Sequence, residues 1–416
     1  MLLDGYELET DSNGKIGIKG KATTSPSSPS GTTGATVELS TGLTPVVYSD
    51  SNWKVADTKQ KWYDYNNQEW ANAVILKNGV TKAVGDTIDV SSEVQGMFVW
   101  IPRYEYKIEG QYGTHTNGTA GTKELPGEIK VNFISKETTT ASSGYHIHPA
   151  FTFGTEQLSG IWVGKFETST ERTSECYTSS NDTNCDNANQ VPYIIPNVNS
   201  LKYQKVANQF TTAQKFNTYL NNSSLDAHMA KNSEWGAAAY LSQSKYGRYG
   251  NILYLGADKE IMVNNSPFYI TGCGMDSSSS CNVYTTAKGQ FASTTGNITG
   301  IYDMSGGSNE YVMGVYNKTS ERSGFSTSTW PDIKYYDNYT TTDVTTACNG
   351  GICYGHALSE TREWYEDKYY FFNPSYMWIK RGGNYNFQAT AGIFYYYTDF
   401  GDANSFNSFR VVITHS

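Results

Sequence analysis

The chain has 416 residues, with 31 Lys and Arg against 40 Asp and Glu and a formal charge of −9, so electrostatics opposes a nucleic-acid partner held through its phosphates. Only 17% of residues are charged, yet the mean hydropathy is −0.53; Ser, Thr, Asn, Gly and 33 Tyr supply an aromatic, hydrogen-bonding surface suited to β structure and binding faces. Heptads rich in Ala, Glu, Lys, Leu and Arg are absent, which argues against a coiled coil, and no run of 18 apolar residues offers a membrane span.

The opening MLLDGYELETDSNGKIGIKG reads as a polar hairpin without signal-peptide character, and we expect a native leader or anchor to have been removed ahead of it. Residues 20–36 are a Ser/Thr/Pro/Gly linker, so 1–36 is hairpin plus linker. Alternation and the aromatics Trp53, Trp62, Tyr63, Tyr65 and Trp70 predict a small β-rich segment over 37–95. The apolar strand Met97 to Pro102 opens the main domain, 96–416. A helix is predicted over 203–220, with Val206, Phe210, Ala213, Phe216 and Leu220 on one face. A second follows a cap at Asn232 or Ser233, with Trp235, Ala238, Ala239 and Leu241 inward, ending near Gly247. The remainder is short strand and polar loop, giving an α+β class.

The six cysteines form three close pairs, Cys176 with Cys185, Cys273 with Cys281 and Cys348 with Cys353. Six cysteines allow about 15 connectivities; pairing within each cluster is the simplest and favours an oxidising compartment. Zinc knuckles and C-x-x-C redox motifs are absent. In YDMSGGSNEY, Gly306 and Gly307 mark a tight turn that brings Asp303, Asn309 and Glu310 together, either to brace the loop by hydrogen bonds or to hold a structural calcium. His146 and His148 share a face of a strand-like GYHIHPAF, where packing is the simpler role. Glu360 to Asp367, ETREWYED, reads as a solvated charged turn. No GxSxG, HExxH or P-loop occurs.

Six segments follow one another along the main domain: MFVWIP at 97–102, GIWVGKFETS at 160–169, MAKNSEWGAAAY at 229–240, ITGIYDMSGGSNEY at 298–311, RGGNYNF at 381–387 and SFRVVI at 408–413. Taken in order, they resemble the formylglycine-generating-enzyme-like (sulfatase-modifying-factor) domain, a variant of the C-type lectin fold. The resemblance covers about 97–416 and implies that fold. Enzymes of the family use cysteines around and after the Arg-Gly-Gly segment to bind copper and oxidise a substrate cysteine. Here no cysteine follows Cys353, so the resemblance implies a scaffold without that chemistry. Trp235 and Trp378 read as core anchors, and the sugar-binding tripeptides of calcium-dependent lectins are absent.

Between Arg381 and Arg410 the composition changes. Residues 384–407 contain no Lys, Arg, Glu, Met or Trp, and eight of the 24 are Tyr or Phe, one third against 14% for the chain. Tyr, Asn, Ser, Asp and Gly are the vocabulary of paratopes. The segment resembles the variable region of proteins diversified by retroelements, in which adenines of Asn codons are randomised; only Gln388 falls outside the residues such randomisation reaches. The expected exposed set is Asn384, Asn386, Phe387, Thr390, Tyr396, Tyr397, Thr398, Asp399, Phe400, Asp402, Asn404, Ser405, Phe406 and Asn407. Ala389, Gly392, Gly401 and Ala403 are expected as scaffold. The alternative is that Ile393, Phe394 and Tyr395 form a core strand beside an ordinary loop.

These readings predict an exported or surface-displayed binding protein, bacterial or phage, that is not an enzyme and needs no cofactor beyond a structural calcium. Its C-terminal face recognises a macromolecular ligand, protein or glycan. The alternatives are a metal-dependent oxidoreductase of the same family and a carbohydrate-binding module.

Overall fold

Nine successive residues from Val94 to Pro102 are buried without alternation, because the strand they form runs through the interior of a sheet covered on both faces. The computed structural model describes the backbone of 6–10 and 16–20, which pair antiparallel, and residues 34–108, 122, 124–170, 185–274, 281–318, 321–343, 346–348, 353–372 and 375–415. Eight strands form the larger sheet, in the order Leu225–Met229, Val411–His415, Gly160–Gly164, Val94–Pro102, Asn72–Leu76, Thr44–Ser49, Asn52–Val55 and Thr87–Ile88. All its pairings are antiparallel. Trp162 lies opposite Trp100, with ring centroids 5.1 Å apart. The strands of 37–95 complete this sheet, and their side chains join one hydrophobic core that extends from Ala35 to Ile413.

The helical stretch expected over 203–220 forms as two helices, Val206–Gln214 and Phe216–Leu220, with all five predicted inward residues buried. The break falls at Lys215, whose N–H turns tightly onto the Thr212 carbonyl at 3.2 Å. The helix Asn232–Ser242 is buried on every side, not on one face, because it is wedged between the larger sheet and a second one. Tyr104 donates to the Ala237 carbonyl at 2.8 Å and Trp235 to the Ile393 carbonyl at 3.0 Å. Its start is held by one carboxylate from outside and one of its own: the Ser233 N–H donates to Asp337 at 2.7 Å, and Glu234 accepts the Lys231 N–H at 2.8 Å. Both carboxylates favour a helix N-terminus.

The second sheet joins Asp337–Tyr339, Asn309–Tyr316, Trp378–Gly382 and Gly392–Asp399, with Asn407–Phe409 parallel to the start of Asn309–Tyr316. The chain passes from this sheet to the larger one through a single residue, Arg410. Its guanidinium grips Glu310 through two nitrogens and donates to the Gly164 carbonyl at 2.7 Å and the Tyr302 carbonyl at 3.0 Å. Burial pushes the Glu310 carboxyl up to about 7, and the charge of Arg410 draws it down from a still higher value.

The turn predicted at Gly306 and Gly307 is present. Gly307 has φ +70° and an added Cβ would sit 2.7 Å from Glu167 Oε1. The Asp303 carboxylate accepts the Gly272 N–H at 2.8 Å and Asn264 at 3.0 Å, while Arg410 occupies Glu310; these carboxylates brace the loop. Among the described residues no group of three or more His, Cys, Asp or Glu side chains converges as metal ligands. His148 is buried and accepts the Ala150 N–H at 3.3 Å, and His146 stacks on Tyr354 at 3.8 Å.

The turn expected to be solvated from Glu360 to Asp367 is so only in part: Arg362 and Glu366 are exposed and Glu363 half-buried, but the carboxylates of Glu360 and Asp367 are buried. Glu360 accepts from Tyr106 at 2.8 Å, Tyr240 at 2.9 Å and the Gly355 N–H at 2.6 Å, and burial pushes it up to about 7. Asp367 accepts the Phe394 N–H at 2.8 Å. Cys273–Cys281 and Cys348–Cys353 are disulfides with Cα atoms 5.3 and 5.2 Å apart. Cys185 is disulfide-bonded, and Cys176 lies outside the described residues.

The buried charges of this frame can be tested by denaturant unfolding. Arg410→Ala strands the buried Glu310 carboxylate and costs about 3–5 kcal/mol, whereas Lys82→Ala, at a surface pair with Glu93, costs under about 1 kcal/mol. His228 supplies a pH-dependent case. Burial alone lowers its pKa, but Glu234 at 3.1 Å and Asp226 at 3.4 Å raise it to about 9, against an ordinary 6.5. That stabilisation is complete below pH 6.5 and is lost as the pH rises through about 9. The gap in unfolding free energy between wild type and His228→Gln should therefore narrow by about 3 kcal/mol from pH 6 to pH 10.

Candidate ligand-binding face

The aromatic segment begins where the Trp378–Gly382 strand turns back. Gly383, at φ +70°, makes that turn; a Cβ there would sit 2.8 Å from Ala391 Cβ. The short helical turn Tyr385–Thr390 follows, capped by Asn384, whose Oδ1 accepts the Asn386 N–H at 2.9 Å. The chain then returns as Gly392–Asp399, paired with Trp378–Gly382, loops through 400–406 and enters the Asn407–Phe409 strand.

Seven of the fourteen residues expected at the surface converge on one shallow hollow of about 350 Å³: Asn384, Asn386, Phe387, Asp399, Asn404, Phe406 and Asn407. Two residues not anticipated, Asn309 and Lys380, complete its lining. Lys380 is the one half-buried residue of the otherwise buried strand Trp378–Gly382, and Asn309 comes from a distant segment; neither carries a periodicity signal in the sequence. Lys380 donates to Asp399 at 2.9 Å, and Asn309 donates to Asn407 Oδ1 at 3.1 Å.

Exposure is uneven across the set. Asn386, Thr390 and Phe406 are exposed, and Phe387, Tyr397, Asp399, Phe400, Asp402, Asn404 and Ser405 are half-buried. Asn384, Tyr396, Thr398 and Asn407 are buried, contrary to expectation. Tyr396 is covered because the segment 368–372 lies along its strand. The Tyr396 N–H donates to the Lys368 carbonyl at 2.9 Å, the Tyr370 N–H donates to the Tyr396 carbonyl at 3.0 Å, and Phe371 stacks on the Tyr396 ring at 5.7 Å. Thr398 faces inward opposite Ile379. Asn384 and Asn407 spend their amides on the hydrogen bonds described above. Ile393, Phe394 and Tyr395 are core, as the alternative reading has it, with Trp364 against Phe394 at 5.2 Å. Of the four positions expected as scaffold, Gly392 and Gly401 are buried, Ala403 is half-buried and Ala389 is exposed.

Three of the accessible rings, Phe387, Tyr397 and Phe400, each have a cation beside them. Lys368 lies 4.6 Å from the Tyr397 centroid and 5.3 Å from that of Phe387, and Arg322 lies 4.1 Å from Phe400 while pairing with Asp402. Each such contact contributes about 0.5–1 kcal/mol at an exposed site. The loop backbone is also pinned: the Asn404 carbonyl accepts the Tyr203 N–H at 3.0 Å, the Asn309 N–H donates to the Phe406 carbonyl at 2.8 Å, and the Phe406 N–H donates to Asn404 Oδ1 at 2.9 Å. The face therefore presents ordered rings and amides, so less entropy is lost when a ligand is bound.

No protein-family model and no curated protein matches this sequence. Among solved structures, the Major Tropism Determinant I1 variant is similar at 11% identity, over 91% of this chain and 74% of that one, with a TM-score of 0.29.

The division between platform and surface is testable by denaturant unfolding. Phe406→Ala, at the exposed edge of the hollow, should change stability by under about 0.5 kcal/mol. Tyr396→Ala, which empties a fully enclosed ring site in the strand beneath, should cost about 3–5 kcal/mol.

Proposed function

We propose that this chain is an exported, surface-displayed binding protein that grips a macromolecular ligand, protein or glycan, with the face formed by residues 384–407. It catalyses no reaction, requires no cofactor and binds no nucleic acid. In this reading the scaffold is a C-type lectin fold of the formylglycine-generating-enzyme-like type, and the segment is a variable region of the retroelement-diversified kind.

The observation that carries the reading is the convergence of seven residues of one compositionally distinct segment on a single open hollow, mounted on strands whose own side chains are largely interior. Rigid rings with small adaptable amides are what paratopes use, and an accessible aromatic such as Phe406, 43% exposed, is of the residue class enriched at interfaces. The lectin-type scaffold is supported by the adjacency of Gly160–Gly164 and the final strand Val411–His415, with a small second sheet carrying the loops. The disulfides support an oxidising, extracellular compartment. Among the described residues no helix is long and apolar enough to cross a membrane.

The binding claim is tested by flow cytometry of the labelled full chain on a panel of bacterial cells, with the triple variant Phe387→Ala, Asn404→Ala, Phe406→Ala alongside. At least a tenfold loss of cell binding with an unchanged unfolding midpoint is expected; undiminished binding would overturn the assignment. The diversification claim is tested in the genome: a reverse-transcriptase gene beside a near-copy of the 3′ coding sequence, differing at adenines, is expected.

A further inference from the structure

A second hollow lies away from the C-terminal face and shares no residue with it. It is about 390 Å³ in volume, within the range of about 300–1,000 Å³ that takes small ligands. Its walls come from the strands Thr44–Ser49 and Asn52–Val55, the segment 61–72 and the loop 290–299. Of its rings Tyr48 is half-buried, while Trp53, Trp62 and Trp70 are buried, at 3, 8 and 1% exposure, and line the hollow from within the core. Tyr48 meets Trp53 at 64° and Trp62 meets Tyr63 at 88°, so the rings form walls and a floor instead of one flat stack.

These rings are fixed from behind. Trp53 Nε1 donates to the Tyr284 hydroxyl at 3.1 Å and Trp70 Nε1 to the Tyr246 carbonyl at 2.7 Å. Lys165, wholly buried, lies 5.2 Å from the Trp53 ring while donating to Asn72 at 2.9 Å and to the Ile298 and Gly300 carbonyls at 2.7 Å. A site whose aromatic floor is locked in this way is ordered before any ligand arrives.

The polar rim decides the ligand class. Gln290, Asn297 and Thr299 offer amide and hydroxyl groups, and Glu69 offers a carboxylate that can accept two hydroxyl donors. The lysine of the rim, Lys61, is paired with Asp64, so an anionic ligand finds no free cation among the described lining residues. A second hollow of about 390 Å³ shares Tyr48 and Trp53 with the first and adds Asn52, Ser91 and Thr285. The two together make one cleft that meets at Tyr48 and Trp53, with amide and hydroxyl groups along its length and one carboxylate in each half, Glu69 and Asp89. Small cations need only a cage with a carboxylate; a chain of polyhydroxylated rings uses the whole cleft, one C–H face on Tyr48 and its hydroxyls on the polar groups of both halves. We propose that this cleft, astride Tyr48 and Trp53, is a binding site for a neutral oligosaccharide, separate from the C-terminal face.

The test is a printed array of neutral oligosaccharides of glucose, galactose, mannose and N-acetylglucosamine, probed with the full chain in the presence of EDTA. Binding to a subset is expected. Tyr48→Ala and Glu69→Gln should each weaken it at least tenfold while Phe406→Ala leaves it within twofold, and the bound glycan should shift tryptophan emission. Unfolding midpoints of the variants establish that the fold persists; if Tyr48→Ala does not fold, Glu69→Gln and Gln290→Ala carry the test. No binding to any neutral glycan, binding lost in Phe406→Ala but retained in Glu69→Gln, or binding of choline with no glycan signal would each overturn the proposal. Failure of this site leaves cell binding through the C-terminal face unaffected, because the two sets of variants do not overlap.

Discussion

The pair formed by Arg410 and Glu310 is the joint on which the architecture turns. Arg410 separates the last strand of the small sheet from the last strand of the large one, and its guanidinium reaches both sheets at once. A buried ion pair is a poor source of net stability, since desolvation offsets much of the attraction. Its contribution here is geometric. The planar fork has donors for two carboxylate oxygens and two carbonyls, and an apolar substitute would leave those four acceptors unpaired in the interior.

From this joint the proposed binding face is built outward in layers. The strands Trp378–Gly382 and Gly392–Asp399 are packed on the helix Asn232–Ser242 through Trp235, and the segment 368–372 closes over their edge. Only then do the side chains of 386, 387, 397, 400, 404 and 406 reach solvent. Because the platform satisfies its own backbone hydrogen bonds, the accessible side chains carry little of the folding free energy. That separation allows a surface to change its residues without changing its shape.

Much of this is legible in the sequence. The strand at Met97 to Pro102, the helix face around Phe210, the tight turn at Gly307 and the local pairing of Cys273 with Cys281 follow from periodicity, backbone chirality and short loop closure, whereas the helix at Trp235 is enclosed on all sides and has no single inner face. Distant packing is not legible. Alternation treats a strand as one-faced and so places Tyr396 outside; only the fold shows residues 368–372 lying across it. Charge density suggests hydration for Glu360 and Asp367, but their partners, Tyr106, Tyr240 and the Phe394 N–H, are remote in sequence or hidden in the backbone. The aromatic cleft at Trp53 and Trp62 reads only as strand composition, since its rim is assembled from residues more than 200 positions apart.

The central claim is that a fixed platform carries replaceable side chains. Its most direct measurement is a crystal structure of the chain with Asn386, Phe387, Thr390, Tyr397, Phe400, Asn404 and Phe406 all replaced by serine. The account predicts that the backbone of 378–382, 392–399 and 407–415 superposes on the parent within about 1 Å, the scale of change expected of a preorganised interface. A collapsed or rearranged small sheet in that variant would contradict it.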